Sequence, residues 1–564
     1  MIVTRKVVCI GVGVGALVVQ SQPASAGSPA EVRGTWVTTT GLTSPNSTIV
    51  NPAATATNFR RLRDIGLNSV YVDVWRNGYT YYQSPTLQQT IGVGMFPGLG
   101  SRDVLRETLI QSHRNGMAQV AWFQYGFAAK FGTPGTSNQE LAKVMKDRGW
   151  LLTDAAGSYT NASNSFSWMN PAVPGVRQFM IGVVTDAVKK YDLDGVQFDD
   201  RLAWPVQFGY DTATRDAYRS ETGREVPANF NDAHFKQWRA QKVTSFAQEM
   251  IAAVKAIRPN AIVSSAPSVY PFSYDSYCVD WPTWKSLGMF DEFVPQVYRN
   301  SAQSFADSWD GVGSITNGGQ VQFMTGRRED FRAGISINRG DGTPNAWTDV
   351  AQSIDVVRGT SGVGGHVLWY SEGILNTYAT QAAAYYDVPT NGQAPRGDLP
   401  LDWRPAPIDA TSTGTGAWQA PVPEKNRYRV IVRNGTVWTE TLSTVFPPGT
   451  LNISATADEV ELLVDRRGFI NGDANLDDVV NLTDFNILAA NFGMSVNGWA
   501  FADFTLDGIV NLADFNLLAG NFGQTSGGVA PAPEDWAALA SVLPEPSIFS
   551  LLVLPLTALT RRRR

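Results

Sequence analysis

The chain has 564 residues, of which 43% are apolar and 17% charged, with a formal net charge of −6. That length exceeds one ordinary domain, and the composition excludes wholesale disorder. The acidic balance, with no basic run inside the chain, excludes nucleic acid as a natural partner. Tryptophan (17) and tyrosine (18) are plentiful, and flat aromatic faces suit sugar rings as well as core packing.

The N-terminus reads as a secretion signal. Arg5 and Lys6 form a basic start, Val7 to Val19 an apolar stretch, and Ala24-Ser25-Ala26 a small-residue cleavage site. Cleavage after Ala26 removes Cys9 and leaves Cys278, so the mature chain has no internal disulfide. The C-terminus pairs with that signal. Pro544-Glu545-Pro546 precedes an apolar stretch from Ile548 to Leu559, and Arg561 to Arg564 end the chain. This order resembles the PEP-CTERM sorting signal of exported bacterial proteins, which implies processing by an exosortase and a secreted or cell-surface location.

Between residues 31 and 386, strand-like apolar runs alternate with helical patterns. The runs are Val32 to Thr38, Ser69 to Trp75, Ala118 to Gln124, Gly195 to Asp199, Ala261 to Ala266, Phe293 to Tyr298, Arg332 to Ile337 and Gly365 to Tyr370. Helical stretches lie between them, such as Ala56 to Ile65, Arg102 to Asn115, Pro174 to Tyr191 and Phe235 to Ile257. In the third, Val176, Phe179, Met180, Val183 and Val184 share one face. Such alternation predicts parallel βα units with right-handed crossovers, and eight of them fit an α/β fold of the (β/α)8 TIM barrel type. The alternative is an open doubly wound sheet, but no Gly-rich phosphate fingerprint follows the first strand.

Residues 387–407, rich in Pro, Gly and Asp, read as a linker. Short β-like runs in residues 408–465 predict a small β module, read as a spacer or a glycan contact. Within residues 468–526 an internal repeat appears: "GDANLDDVVNLTDFNILAANFG" returns as "ADFTLDGIVNLADFNLLAGNFG". The first copy offers Asp473, Asn475, Asp477, Asn481 and Asp484 at loop positions 1, 3, 5, 9 and 12. The second offers Asp503, Thr505, Asp507, Asn511 and Asp514. With the backbone carbonyls of Val479 and Ile509 at position 7, these hard oxygens predict two structural Ca2+ loops. The repeat resembles the type I dockerin domain, which implies calcium and a cohesin-like partner. It departs at Asp478, where Gly is usual, and at the partner-gripping positions, here Leu482-Thr483 and Leu512-Ala513. Residues 527–543 read as a flexible stalk ahead of the sorting signal at 544–564.

The chemistry gathers at "DLDGVQFDDRLAWP", Asp192 to Pro205. The fourth strand ends on Asp199 and Asp200, and in a TIM barrel the C-terminal strand ends form the active-site rim. Alternation sets Gln197 and Asp199 on one face and Val196 and Phe198 on the other. Asp199 is therefore expected at the mouth, with Asp200 beside it and Arg201 as a partner. Other strand ends bring Asp73, Arg76 and Tyr82, Gln124 and Tyr125, Gln296, Tyr298 and Arg299, Asn338, Arg339 and Asp341, and Trp369, Tyr370 and Glu372 to the same rim. Trp204 follows the acid pair. Two carboxyl groups flanking a glycosidic bond can act as acid and as base or nucleophile. Beside Asp199 and Asp200, the candidates for the opposing carboxylate are Glu372, Asp73 and Asp275, in that order. No zinc cluster is expected, because His113, His234 and His366 are widely spaced.

The barrel resembles the glycosyl hydrolase-like family 10 proteins. The matching stretches are "VRGTWVTT", "VWRNGYTYYQSP", "HRNGMAQVAWF", "MNPAVPGVRQFM", "YDLDGVQFDDRLAWP" and "DEFVPQVY", in that order along the chain. The resemblance implies glycan hydrolysis, with the family's acid pair on Asp199 and Asp200, its arginine on Arg76, and its Pro-Gln-x-Tyr on Pro295 to Tyr298. Val120 stands where many members carry His. The expected function is an exported bacterial glycoside hydrolase acting on a polysaccharide or cell-wall glycan. The alternative is a surface glycan-binding protein without turnover.

Overall fold

The computed structural model describes residues 30–311, 319–399 and 403–525; the expected secretion signal, stalk and sorting signal lie outside them. Among the described residues, eight parallel strands form one curled sheet. They are β1 (Val32–Val37), β2 (Ser69–Asp73), β3 (Ala118–Phe123), β4 (Gly195–Asp199), β5 (Ile262–Ala266), β6 (Glu292–Phe293), β7 (Ala333–Ser336) and β8 (Gly365–Trp369). Hydrogen-bonded neighbours run β6-β5-β4-β3-β2-β1-β8-β7. The two free edges then meet. Arg332 N–H donates to the Phe293 carbonyl (2.9 Å) and Gly334 N–H to the Pro295 carbonyl (3.0 Å). The result is a TIM-like barrel, as the alternation predicts. β6 is short because Pro295 has no N–H to continue a ladder.

Each strand is buried on both faces, and its parity divides two cores. Val70, Val72, Val196 and Phe198 point outward into the layer between sheet and helices. Trp36, Tyr71, Val120, Trp122, Ala266, Val294 and Val367 point inward and fill the barrel. Gly195 opens β4 because a Cβ there would lie 2.3 Å from the Ile262 carbonyl oxygen. The helices carry their own start signals. Helix Pro52–Ile65 begins four residues before the expected Ala56, since Asn51 accepts the Ala54 N–H and Pro52 needs no partner for its missing one. Helix Pro174–Lys190 buries Val176, Phe179, Met180, Val183 and Val184 on the expected face.

The N-terminal end of the barrel is closed by charge. Glu292, fully buried on β6, accepts hydrogen bonds from Tyr71 (2.8 Å), Ser264 (2.8 Å) and Arg396 (2.6 Å). Arg404 pairs with Asp192 (2.7 Å) and Asp194 (2.6 Å), and the Trp403 indole donates to Asp194 (2.7 Å). These cations come from residues 387–407. Its described residues are therefore not a free linker: Arg396 and Arg404 neutralise buried acids at the barrel base, which need such partners.

The β module spans strands from Ile408–Asp409 to Glu459–Val464 in a four-stranded and a three-stranded sheet. It is docked rather than tethered. Ile431, Trp438 and Leu463 pack on Ile110 of helix Val104–Arg114. Arg114 pairs with Glu461 (2.7 Å) and Arg106 with Glu440 (2.6 Å). The repeat follows as two short helices, Leu482–Asn491 and Leu512–Asn521, whose Phe485 and Phe515 rings meet edge to face. Val445 of the β module joins their core, and Lys425 donates to the Phe504 carbonyl (2.7 Å).

Candidate active site

At the C-terminal end of the barrel a cavity of about 80 Å3 is lined by Trp36, Trp122, Gln124, Asp199, Asp200, Arg201, Gln296, Tyr298 and Trp369. Its walls are aromatic. The Tyr298 and Trp369 rings stack 6.1 Å apart, and Trp122 meets Trp369 edge to face at 5.7 Å. Trp36 lies beneath, and its indole donates to Gln197 (2.7 Å), which in turn donates to Ser264 (2.9 Å). Gln197 and Asp199 thus share the inward face of β4.

The acids dominate the electrostatics. Asp199 keeps 4% of its side chain exposed and Asp200 27%. One Arg201 nitrogen reaches both, at 2.9 Å and 3.2 Å. Gln296 donates to the other Asp199 oxygen and to the Ala266 carbonyl. Burial first, and the neighbouring Asp200 charge second, hold the Asp199 carboxyl well above the usual carboxylate range. Arg201 is itself held by rings, lying over Tyr125 (5.5 Å) and Phe166 (5.0 Å). Gly126 lets these loops touch: at φ 44° its Cβ would lie 2.3 Å from the Arg201 carbonyl oxygen, the acceptor of the Phe127 N–H.

The expected rim residues separate into two groups. Asp199, Asp200, Gln296, Tyr298 and Trp369 line the cavity, and Arg76 and Tyr125 stand beside it, with the Arg76 guanidinium 5.6 Å from the Tyr125 ring. Asp73 faces inward on β2 but is fully buried. It accepts from the Thr39 hydroxyl, and burial pushes it up to about 6 despite Arg76 at 4.0 Å. Trp204 does not face the cavity. It is fully buried, donates to the Phe208 carbonyl (3.1 Å) and packs edge to face on Trp238. Tyr82 is likewise buried, with its hydroxyl on the Val183 carbonyl (2.5 Å).

Glu372 is also elsewhere. At the start of helix Ser371–Thr377, its carboxylate accepts the Thr48 N–H (3.1 Å) and the Ser371 hydroxyl (3.0 Å). That ties the loop after β1 to the loop after β8. Asp275 points to solvent and pairs with Lys236 at 3.2 Å. Among the described residues, the carboxylates lining the cavity are therefore Asp199 and Asp200 alone. Trp36 and Trp122 are cavity residues that the rim argument passed over. Their inward parity on β1 and β3 was the available signal.

The repeat loops form a second candidate site. One oxygen each from Asp473, Asp477 and Asp484 lies within 4.8 Å of the others. Backbone N–H groups of Asp477 and Asp478 turn onto Asp473, and those of Ala474 and Asn481 onto Asp484. The second loop repeats the pattern, with Asp507 and Gly508 on Asp503 and Thr505 and Asn511 on Asp514. Asp478 adopts φ 71°, where the second loop has Gly508 at 89°. Burial raises the Asp478 carboxyl above the usual range, and the Arg258, Arg427 and Arg467 charges oppose that rise. Asn481 and Asn511 accept the Thr483 and Ala513 N–H groups as helix caps (2.7 Å each). Asn475 donates to Asp477 (2.9 Å), the Thr505 hydroxyl donates to Asp503 (3.4 Å), and the Val479 and Ile509 N–H groups each bond the position-5 acid (3.0 Å). The three acids of the first loop fit a hard cation; in the second the Ile509 carbonyl already accepts from the Asn511 amide (3.1 Å), and both capping amides are engaged.

Comparison with known proteins places this barrel. The glycosyl hydrolase-like 10 family model matches residues 31–321. The glycosyl hydrolase DigH of Escherichia coli K12 is 24% identical over 404 residues, covering 63% of this chain and 86% of that protein. The glycosyl hydrolase YngK of Bacillus subtilis is 22% identical over 300 residues, covering 49% of this chain and 55% of that protein. Among solved structures, the PgaB (BpsB) glycoside hydrolase domain of Bordetella bronchiseptica aligns with a TM-score of 0.44 at 14% identity, over 65% of this chain and 99% of that one. The family match spans more than half of the chain and takes in six of the eight barrel strands with both acids of the cavity, so this chain belongs to the glycosyl hydrolase-like 10 family.

Proposed function

We propose that the protein hydrolyses glycosidic bonds of a polysaccharide or cell-wall glycan at the barrel mouth, with Asp199 as the proton donor. The observation that carries this is the Asp199 carboxyl, buried beside Asp200 in an aromatic-walled cavity and raised above the usual carboxylate range. A sugar ring seats on the Tyr298 and Trp369 faces, and its glycosidic oxygen takes the Asp199 proton as the bond breaks. Asp200 remains the nearer solvent-facing carboxylate, suited to stabilise the positive charge that develops on the sugar or to orient water. Arg201 holds both acids in register. The relatives named glycosyl hydrolase support this reaction class. Asp199→Asn is expected to abolish release of reducing ends from an active glycan while binding persists; equal turnover in variant and parent rejects the assignment.

A second reading rests on a specific observation. Glu372 and Asp275, proposed as opposing carboxylates, are engaged away from the cavity, and Asp73 lies beneath its wall. A barrel with acids on one wall suits glycan binding without turnover. Release of no reducing ends from a broad glycan panel by a parent protein that binds the same glycans favours that reading.

The repeat is proposed to hold Ca2+ through Asp473, Asp477 and Asp484, and through Asp503, Asp507 and Asp514, with the carbonyls of Val479 and Ile509. When bound, the ion supplies positive charge that relieves repulsion among these acids. Export with sorting at the C-terminus is proposed from the two terminal signals, and a cohesin-like partner stays secondary because the gripping positions depart from the dockerin pattern.

A further inference from the structure

The cavity contains a donor with no acceptor among the described residues. Trp122 faces inward on β3, packed between Trp36 (centroids 6.3 Å) and Trp369 (5.7 Å), and only 2% of the residue is exposed. Among the described residues its indole N–H has no hydrogen-bond partner. The contrast with its neighbour is direct: the Trp36 N–H, one ring away, is paired with Gln197 at 2.7 Å. A buried indole N–H ordinarily finds a partner, and leaving it unmade costs stability that a phenylalanine in its place would not.

Several other polar groups of the cavity already have partners within the protein. The Gln296 amide nitrogen serves Asp199 and the Ala266 carbonyl, and Arg201 serves both acids. Trp122 can only donate, so its complement is an acceptor oxygen flanked by apolar surface. Resting on the glycan reading of this site, we propose that the Trp122 N–H is a specificity-determining contact. It receives a hydroxyl or carbonyl oxygen that a bound sugar directs into the barrel axis, between the Trp36 and Trp369 rings. This selects sugars that present an acceptor at that depth over those with a hydrogen or a bare methylene there.

Two variants test it: Trp122→Phe, and replacement of Trp122 by 3-benzothienylalanine, which keeps the ring shape and exchanges N–H for sulfur. The full-length protein is assayed with chito-oligosaccharides, peptide-free peptidoglycan strands and xylo-oligosaccharides. Turnover is read as reducing ends, and binding is read on the Asp199→Asn background. Both variants are expected to lower kcat/KM and affinity about tenfold, the size of one lost hydrogen bond. The melting temperature is expected to stay level or rise with the sulfur analogue, the opposite of what a purely structural role predicts. Sugars deoxygenated at single ring positions, and sugars lacking the N-acyl group, separate the hydroxyl from the carbonyl source. The sugar that lacks the acceptor should bind parent and variant alike.

Kinetics and affinity within twofold of the parent for both variants overturn the proposal and leave the N–H to a buried water. A parent that binds a glycan but releases no reducing ends removes the hydrolase reading, and the Trp122 contact is then judged on affinity alone. Failure of the parent to bind any of these glycans overturns both.

Discussion

The two ends of β4 carry two pairs of acids with opposite fates. Asp192 and Asp194 lie before the strand, Asp199 and Asp200 at its end. At the base, Arg404, His113 and an N–H from Gln119 surround Asp194 and hold it far below the usual carboxylate range in spite of burial. At the mouth, burial and Asp200 outweigh Arg201, and Asp199 is held far above it. The chemistry of the residues is identical. What differs is the number of cations and donors the fold supplies, and that converts one pair into a structural clamp and leaves the other able to carry a proton.

Substitutions at each end should break the comparison in opposite observables. The largest effect is expected from Asp199→Asn: turnover falls by about 10³-fold while the denaturation midpoint holds, because the amide resembles the protonated acid. Initial rates and urea curves on the same preparation check this. Arg404→Ala should do the reverse. It strands Asp192 and Asp194 without their main cation and costs about 3 kcal/mol of stability, the scale of breaking a buried pair. Asp199-dependent activity in the remaining folded protein should stay unchanged.

pH sharpens the contrast through its sign. At the base, the folded acids are more acidic than unfolded ones, so the clamp is intact above their ordinary value of 3.8 and weakens as pH falls below it. At the mouth, Asp73 sits at about 6 in the fold against 3.8 in the open chain. The native state then holds the extra proton, and stability falls as pH rises between these values; Asp73→Asn should flatten that slope. Activity follows Asp199 and is lost as pH rises through its elevated pKa. Arg201→Met, which removes an attractive charge, should move that alkaline limb upward. The smallest effect is expected from chelation. Removing Ca2+ should loosen amide protection in residues 468–525 and leave barrel protection unchanged, read by hydrogen exchange.

The difference between the ends also explains what a linear reading can see. Asp199 could be placed from its neighbours alone: five residues of alternating parity, an acid pair, and a position as fourth of eight strands. The clamp could not. Asp192 and Arg404 are 212 residues apart, and nothing local in a Pro- and Gly-rich stretch signals that its arginines enter a barrel base. The same limit misplaced Trp204 and Glu372. Both follow a strand end by a few residues, but loop paths turn one into the core beside Trp238 and the other onto Thr48.

The sequence by itself determined the order of βα units, the inward parity of Gln197 and Asp199, and the doubled acidic loops. Each of these depends on interactions within a few residues. The tertiary structure decided which acids hold protons more tightly, which strand ends reach the cavity, and that arginines from beyond the last strand close the barrel base. Those outcomes depend on burial and on charges brought together from distant segments, and the free energy of a buried carboxyl is set by its surroundings rather than by its neighbours in the chain.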